Sequence, residues 1–302
     1  MVFSRLLPKQ TTINHNPDSS LCSIRRLFSH IYISEFIIIK KQVIIINIKE
    51  IIIDSIKYPF LDWKKILILG LIVVIYKIPL NMFPINLQNG FTDQFLIIAL
   101  LINCFIIGYF FKIIQYSLKD TRKLPKFSKW VNLFKNGFKV TCVSLIYSIP
   151  AILPIIILNS SLLNFYSHEP YFIIFIMDAA INHGYLHPIW FAYILYLLIL
   201  FPISVIAIAN MANNDGKWSY AFEFEVIFDK IKNIGWIKFY SWYLSTSVIE
   251  LLIFLIGSII TMLSILIPTF PFGLIAPLIL TPYIYIFFAR SIALIYQSDN
   301  TI

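Results

Sequence analysis

Charge is what this sequence has least of. Only 13% of its 302 residues are charged, against about 25% in an ordinary soluble domain. Hydrophobic residues make up 59%, and the mean hydropathy is +0.81. So few charges cannot clothe a water-facing surface around that much apolar side chain. Disorder is excluded by the same numbers, since it needs low hydrophobicity and high charge. The chain therefore reads as an integral membrane protein. Cysteine is also scarce: Cys22, Cys104 and Cys142 are an odd set with no Cys-x-x-Cys spacing. That argues against a disulfide scaffold and points to buried free thiols. Catalytic signatures are missing too. The sequence holds no Gly-rich phosphate loop, no Gly-x-Ser-x-Gly elbow, no His-Glu-x-x-His and no paired intramembrane carboxylates. ATPase, hydrolase and protease chemistry thus lack support, and neither enzymatic activity nor a cofactor is expected.

What is present is a series of apolar runs. A helix needs about 20 residues to cross a bilayer at 1.5 Å per residue. Six segments meet or approach that length: 66–83, 94–111, 140–158, 189–212, 237–267 and 270–296. The expected fold is all-α, a polytopic bundle of six transmembrane helices. Pro150, Pro154, Pro202, Pro277 and Pro282 fall inside these runs, where each removes a helix donor and can kink the span.

The basic residues sort by loop. Residues 1–65 hold ten Lys and Arg, 112–139 hold eight and 212–238 hold four, whereas 84–93, 159–188 and 268–270 hold none. Six spans put all basic segments on one face. By the positive-inside rule that face is cytoplasmic, with both termini inside a multi-pass protein of the cell membrane. The net charge of +9 then reports orientation, with the bilayer and its anionic headgroups as partners rather than nucleic acid; protein partners are not legible. Trp63, Trp130, Trp218, Trp236 and Trp242 fall near the inner boundary and Trp190 near the outer one, as an interfacial indole prefers.

Each large basic segment carries a helical pattern. Phe127, Trp130, Val131, Phe134 and Phe138 share one face, opposite Lys126, Lys129, Asn132, Lys135 and Lys139. Ile44, Ile45, Ile48, Ile51, Ile52 and Ile56 oppose Asn47, Glu50, Asp54 and Lys57, and Phe224, Ile227, Phe228, Ile231 and Ile234 oppose Glu225, Asp229 and Lys232. The chain reads as three units of cytoplasmic-face amphipathic helix, span, outer turn and span. Such helices either cap the bundle or bind anionic lipid heads, with Lys126, Lys129, Lys135 and Lys139 as the interfacial cations.

Lys57-Tyr58-Pro59-Phe60-Leu61-Asp62-Trp63-Lys64-Lys65, Gly108-Tyr109, Ser117-Leu118, Leu124-Pro125-Lys126-Phe127, Ala221-Phe222-Glu223-Phe224 and Ala289-Arg290 together resemble domain-of-unknown-function family 4013. The resemblance runs from about residue 45 to the C-terminus and implies an archaeal multi-span membrane protein, with no reaction or active site to carry over. Residues 1–43 depart from the pattern and are expected to be an N-terminal extension to a membrane domain, 44–302. They show no secretory h-region and cleavage site. With the next methionine at Met82, translation from a non-ATG codon near Val43 is one reading, which an intact mass matching Met1 would remove.

Three intramembrane charges are candidates for chemistry. Glu250 lies 12 residues past Lys238, about 18 Å along a helix, and must be neutral, paired or facing a wet cavity. Arg290, in the last span, is long enough to close part of the gap to it, with Ser291 or Thr246 assisting. Lys77 is placed to snorkel. The 159–188 loop offers zinc-type ligands in His168, Glu169, His183 and His187, although Gly184 and Pro188 weaken the helix that would align the last two. Three functions follow: a non-enzymatic envelope protein organising lipids or partners, a small-solute permease or channel using Glu250 and Arg290, and a lipid-acting enzyme on the outer histidines.

Overall fold

Helices account for the architecture, and no strand occurs among the described residues. The computed structural model describes residues 48–82, 92–158, 186–266 and 272–298, all within the unit Ile48–Ile302. Helix α1 occupies residues 48–57 and passes through a 3₁₀ turn, Tyr58–Leu61, into α2 (Trp63–Met82). Then come α3 (Thr92–Leu118) and α4 (Trp130–Leu158). Helix α5 joins Leu186–Leu195, a π turn at Tyr196–Leu200 and Phe201–Asn213. Helix α6 is Phe224–Ile234 and α7 is Trp236–Leu266. Helix α8 joins a π turn at Ala276–Leu280 to Thr281–Gln297.

Five of these are long and apolar enough to cross a membrane: Ile97–Leu118, Trp130–Leu153, Phe191–Asn213, Trp236–Leu263 and Ala276–Gln297. Their outward side chains are apolar. Ile97, Leu145, Phe191, Ile259 and Met262 are all exposed, an arrangement that suits hydrocarbon and not water. Helix α2 has 20 residues, but its side chains are described only as far as Lys77.

Three of the long helices share a starting residue. Helices α2, α4 and α7 each begin at a tryptophan, and Trp63, Trp130 and Trp236 are all exposed. Trp242 departs from the interfacial reading. It is fully buried and donates from Nε1 to Ser291 Oγ at 2.6 Å, because an indole in a protein core needs a partner for its N–H.

The first and third units have a separate amphipathic helix, α1 and α6, whose buried faces are Ile48, Ile51 and Ser55, and Ile227, Ile231 and Ile234. The middle unit does not. Residues 121–129 are irregular, and helix starts only at Trp130. Pro125 has no amide proton to give and disfavours a helical residue before it, and Lys129 takes φ 58° at the break. The expected apolar face of Trp130, Val131 and Phe138 is exposed, while Leu133 and Val140 face inward.

Prolines act unevenly. Helix α4 continues through Pro150 and Pro154. Pro202 and Pro282 each follow a π turn by two residues, since a wider turn accommodates the ring where the i−4 bond is lost. Ser204 and Thr281 donate back to the carbonyls of Phe201 and Ala276 in these regions.

The closest helix crossings are made on glycine. A methyl on Gly108 of α3 would overlap the Leu133 carbonyl of α4, and one on Gly137 of α4 would overlap the Cys104 carbonyl of α3. The two contacts are reciprocal across an antiparallel pair, which permits Cα–H···O approach in both directions. Gly70 of α2 meets the Leu278 carbonyl in the α8 π turn in the same way. Phe288 of α8 ties the remaining helices together, with ring contacts to Phe110, Phe201 and Trp242. Replacing Gly108 or Gly137 with Leu is expected to lower stability by about 1–3 kcal/mol or more, as overpacking does. Gly257→Ala, whose new methyl would meet only Leu280 Cδ1 at 3.3 Å and Ala276 Cβ at 3.7 Å, should cost far less. Thermal unfolding in detergent compares them; equal midpoints would contradict the crossing.

Candidate functional site

One end of the helix bundle gathers the basic connections. Gln297 at the end of α8 donates to Leu118 O at the end of α3 (2.9 Å), and Lys238 near the start of α7 donates to Ser298 O (2.7 Å). Lys139 of α4 donates to Gly216 O beyond α5 (2.8 Å), and Tyr147 to Ala221 O (2.8 Å). A cation set on helix-terminal carbonyls is favourable because the macrodipole is negative there.

The irregular 119–129 segment is held by its backbone carbonyls. Tyr58 donates to Lys123 O (3.3 Å), Lys65 to Leu124 O (2.6 Å), Tyr109 to Pro125 O (3.0 Å) and Lys112 to Lys126 O (2.7 Å). Tyr109 also stacks on Phe127 with centroids 4.0 Å apart. Four side chains from three elements therefore fix a segment that makes few backbone bonds of its own. Its Arg122, Lys123, Lys126 and Lys129 side chains are left exposed.

Beside this segment opens a cavity of about 590 Å³, bordered by Asp54, Lys57, Tyr58, Leu61, Asp62, Lys65, Arg122, Lys123, Leu124 and Arg290. Arg290 forms its inner wall. Its Nε donates to Asp54 Oδ2 at 2.8 Å, and its guanidinium lies over the Tyr58 ring at 4.9 Å. The Arg290 side chain is 7% exposed, and its Nη1 is buried with no hydrogen-bond partner among the described residues. Burial pushes the Tyr58 hydroxyl up from its ordinary pKa, opposed by the neighbouring Ser117 and Arg290. At the mouth, Lys65 lies 2.9 Å from Asp62 Oδ2, and the hydrogen bond from Lys65 holds the Asp62 carboxyl below its ordinary range.

Arg290 is thus paired with Asp54 and not with Glu250. Its expected helpers are engaged elsewhere: Ser291 accepts from Trp242, and Thr246 donates to backbone within α7. Glu250 Oε1 is buried without a hydrogen-bond partner among the described residues. Lys77 is half-buried on α2. Of the interfacial cations, Lys126, Lys129 and Lys135 are exposed, while Lys139 is committed to Gly216. His168, Glu169 and His183 lie outside the described residues, and of His187 only the backbone, in α5, is described. Among the described residues no group of His, Cys, Asp or Glu is arranged to hold a metal. Cys104 and Cys142 are free thiols. Asp54 was visible only as one acid on a polar helix face, because its partner stands 236 residues away.

A second cavity of about 280 Å³ lies among α3, α4, α5 and α8. Its polar lining is Asn103, Thr141, Ser144, Ser204, Tyr196 and Tyr285; Glu250 does not border it.

Long apolar helices with their charges drawn to one end define a helical protein of the multi-pass membrane kind. The family model of the DUF4013 proteins of unknown function matches residues 94–263, and the chain belongs to that family. The match is narrower than the resemblance from residue 45 onward: it takes in the 119–129 segment and leaves out Asp54 and Arg290. No curated protein and no solved structure matches.

The Asp54–Arg290 assignment predicts coupling. In a double-mutant cycle, Asp54→Asn and Arg290→Gln should couple by about 1 kcal/mol or more, while Glu250→Gln and Arg290→Gln should add within about 0.5 kcal/mol. Unfolding in detergent reads both cycles, and strong Glu250–Arg290 coupling would reverse the assignment.

Proposed function

We propose that this chain is a non-enzymatic membrane protein of six spans, α2 being the sixth, with both termini in the cytoplasm, and that it organises anionic lipids or protein partners at the inner surface. The observation that carries this reading is the clamped 119–129 segment. Four buried or half-buried donors hold its backbone, so that its exposed cations are presented together. A segment needed only as a topology signal has no use for a fixed backbone, since the positive-inside rule counts charge and not geometry. Lysine and arginine held near an anionic leaflet each contribute about 1 kcal/mol.

The permease or channel reading keeps one observation, a Glu250 Oε1 without a hydrogen-bond partner among the described residues. Arg290, its other proposed residue, is engaged with Asp54, and the cavity among α3, α4, α5 and α8 does not reach Glu250. Both points favour the organising role.

Two measurements test the proposal. In a background with Cys22, Cys104 and Cys142 replaced by serine, Lys126→Cys should react with an impermeant maleimide only in inside-out vesicles, and Asn89→Cys only in right-side-out ones. Labelling of both from the same side would overturn the topology. In reconstituted vesicles, wild type and Glu250→Gln should cluster fluorescent phosphatidylglycerol alike and carry no proton flux. A flux abolished by Glu250→Gln would establish the permease.

A further inference from the structure

We propose that the cavity around Arg290 is a binding site for a phosphate group, with the Arg290 guanidinium as the innermost donor and Arg122 and Lys123 as the outer ones. The proposal deepens the lipid reading above, on which it rests for the supply of such groups at this end of the protein.

The central observation is the orphaned nitrogen. A guanidinium carries five N–H donors and no acceptor. Arg290 borders the cavity, uses Nε on Asp54 and a face on Tyr58, and keeps Nη1 buried with no hydrogen-bond partner among the described residues. A buried cationic donor left unmade is costly, so this geometry is suited to a ligand acceptor. Charge balance gives the ligand's sign. Five cations and two carboxylates border the cavity, an excess of three positive charges. Both carboxylates are occupied, Asp54 by Arg290 and Asp62 by Lys65, so neither stands ready to neutralise an added cation. Lys57, Arg122 and Lys123 make no ion pair among the described residues and are exposed at the rim.

That excess surpasses what one carboxylate neutralises and suits a phosphate, whose several oxygens accept from the planar arginine fork and from separate lysines at once. The volume of about 590 Å³ leaves room for what the phosphate is attached to. Phe60 and Leu61 on the adjoining turn and Trp63 at the start of α2 are exposed large apolar side chains, as the glycerol and acyl part of a lipid would require. Backbone clamping supplies part of the preorganisation: Tyr58 and Lys65 fix the carbonyls of Lys123 and Leu124, so binding need order only the side chains of the loop cations.

The test uses the full chain with two probes and two variants. Arg122→Ala with Lys123→Ala alters only exposed cations. Arg290→Lys keeps a cation for Asp54 and removes Nη1. Binding of inorganic phosphate is measured by titration calorimetry in detergent, and retention of phosphatidylglycerol by native mass spectrometry from nanodiscs of phosphatidylcholine and phosphatidylglycerol. Wild type should bind at least one probe, and each variant should weaken that binding about tenfold, the scale of one charge-assisted hydrogen bond. Thermal midpoints measured without ligand identify any variant that is merely unfolded; if Arg290→Lys fails this control, the double loop variant decides. Response to both probes shows a site for the phosphate itself, and response to phosphatidylglycerol alone shows a headgroup site. Binding unaltered by the loop variant, or absent with both probes, overturns the proposal. Clustering of phosphatidylglycerol that persists in such a case would leave the organising role standing without this pocket.

Discussion

Side-chain donors aimed at backbone carbonyls hold the basic end of this protein together. A long apolar helix leaves its last carbonyls without partners, and the segments joining such helices add more. Here Lys65, Lys112, Lys139 and Lys238, with Tyr58, Tyr109 and Tyr147, donate to carbonyls outside their own helices. Cations that count only as positive charge in the sequence are therefore also structural bolts. The consequence reaches the site. With Lys65 bound to Leu124 and Tyr58 to Lys123, the wall of the Arg290 cavity is tied to α2 and to the turn before it.

Packing inside the apolar layer follows a different rule. Between helices in hydrocarbon there is no water to expel, so association relies on close approach. The reciprocal contacts of Gly108 with Leu133 and of Gly137 with Cys104 bring α3 and α4 into the most extensive pairing of the fold. Gly70 then sets α2 against the π turn of α8, so the proline-bearing turn of α8 and the glycine of α2 form one joint. That joint helps place Arg290, two turns beyond Pro282, beside the 3₁₀ turn that leads into α2.

Hydropathy and charge distribution made the helical class, the run of apolar helices and the clustering of cations legible, because those are properties of single segments. The gathering of α1, α2, α8 and the 119–129 segment around Arg290 was not legible, because Asp54 and Arg290 belong to opposite ends of the described chain. Periodicity misread 126–129 as helix, since Phe127 and Lys126 fit a helical wheel while Pro125 and the left-handed Lys129 forbid one. Trp242 shared the composition of an interfacial tryptophan and was placed in the core by Ser291, a partner that no local window contains. Pro150 and Pro202 look alike in sequence, yet only the second is preceded by a π turn.

The contrast between Arg290 and Glu250 shows why the two intramembrane charges have different meanings. A carboxylate can shed its charge by taking up a proton, so an isolated glutamate on a span is tolerable as a neutral acid. An arginine has no such exit, since its guanidinium stays charged. Arg290 must therefore be compensated in every state of the protein, and Asp54 supplies that through Nε. Yet Asp54 cannot satisfy the whole fork, and Arg290 borders a cavity already in excess of positive charge. Arg290 lies seven residues before the end of α8 at Gln297, about 10 Å along the helix axis. Water alone would hydrate it there, but would leave the rim cations repelling one another. The proposed anion would resolve the donor and the repulsion together, and anionic headgroups are concentrated at a membrane surface.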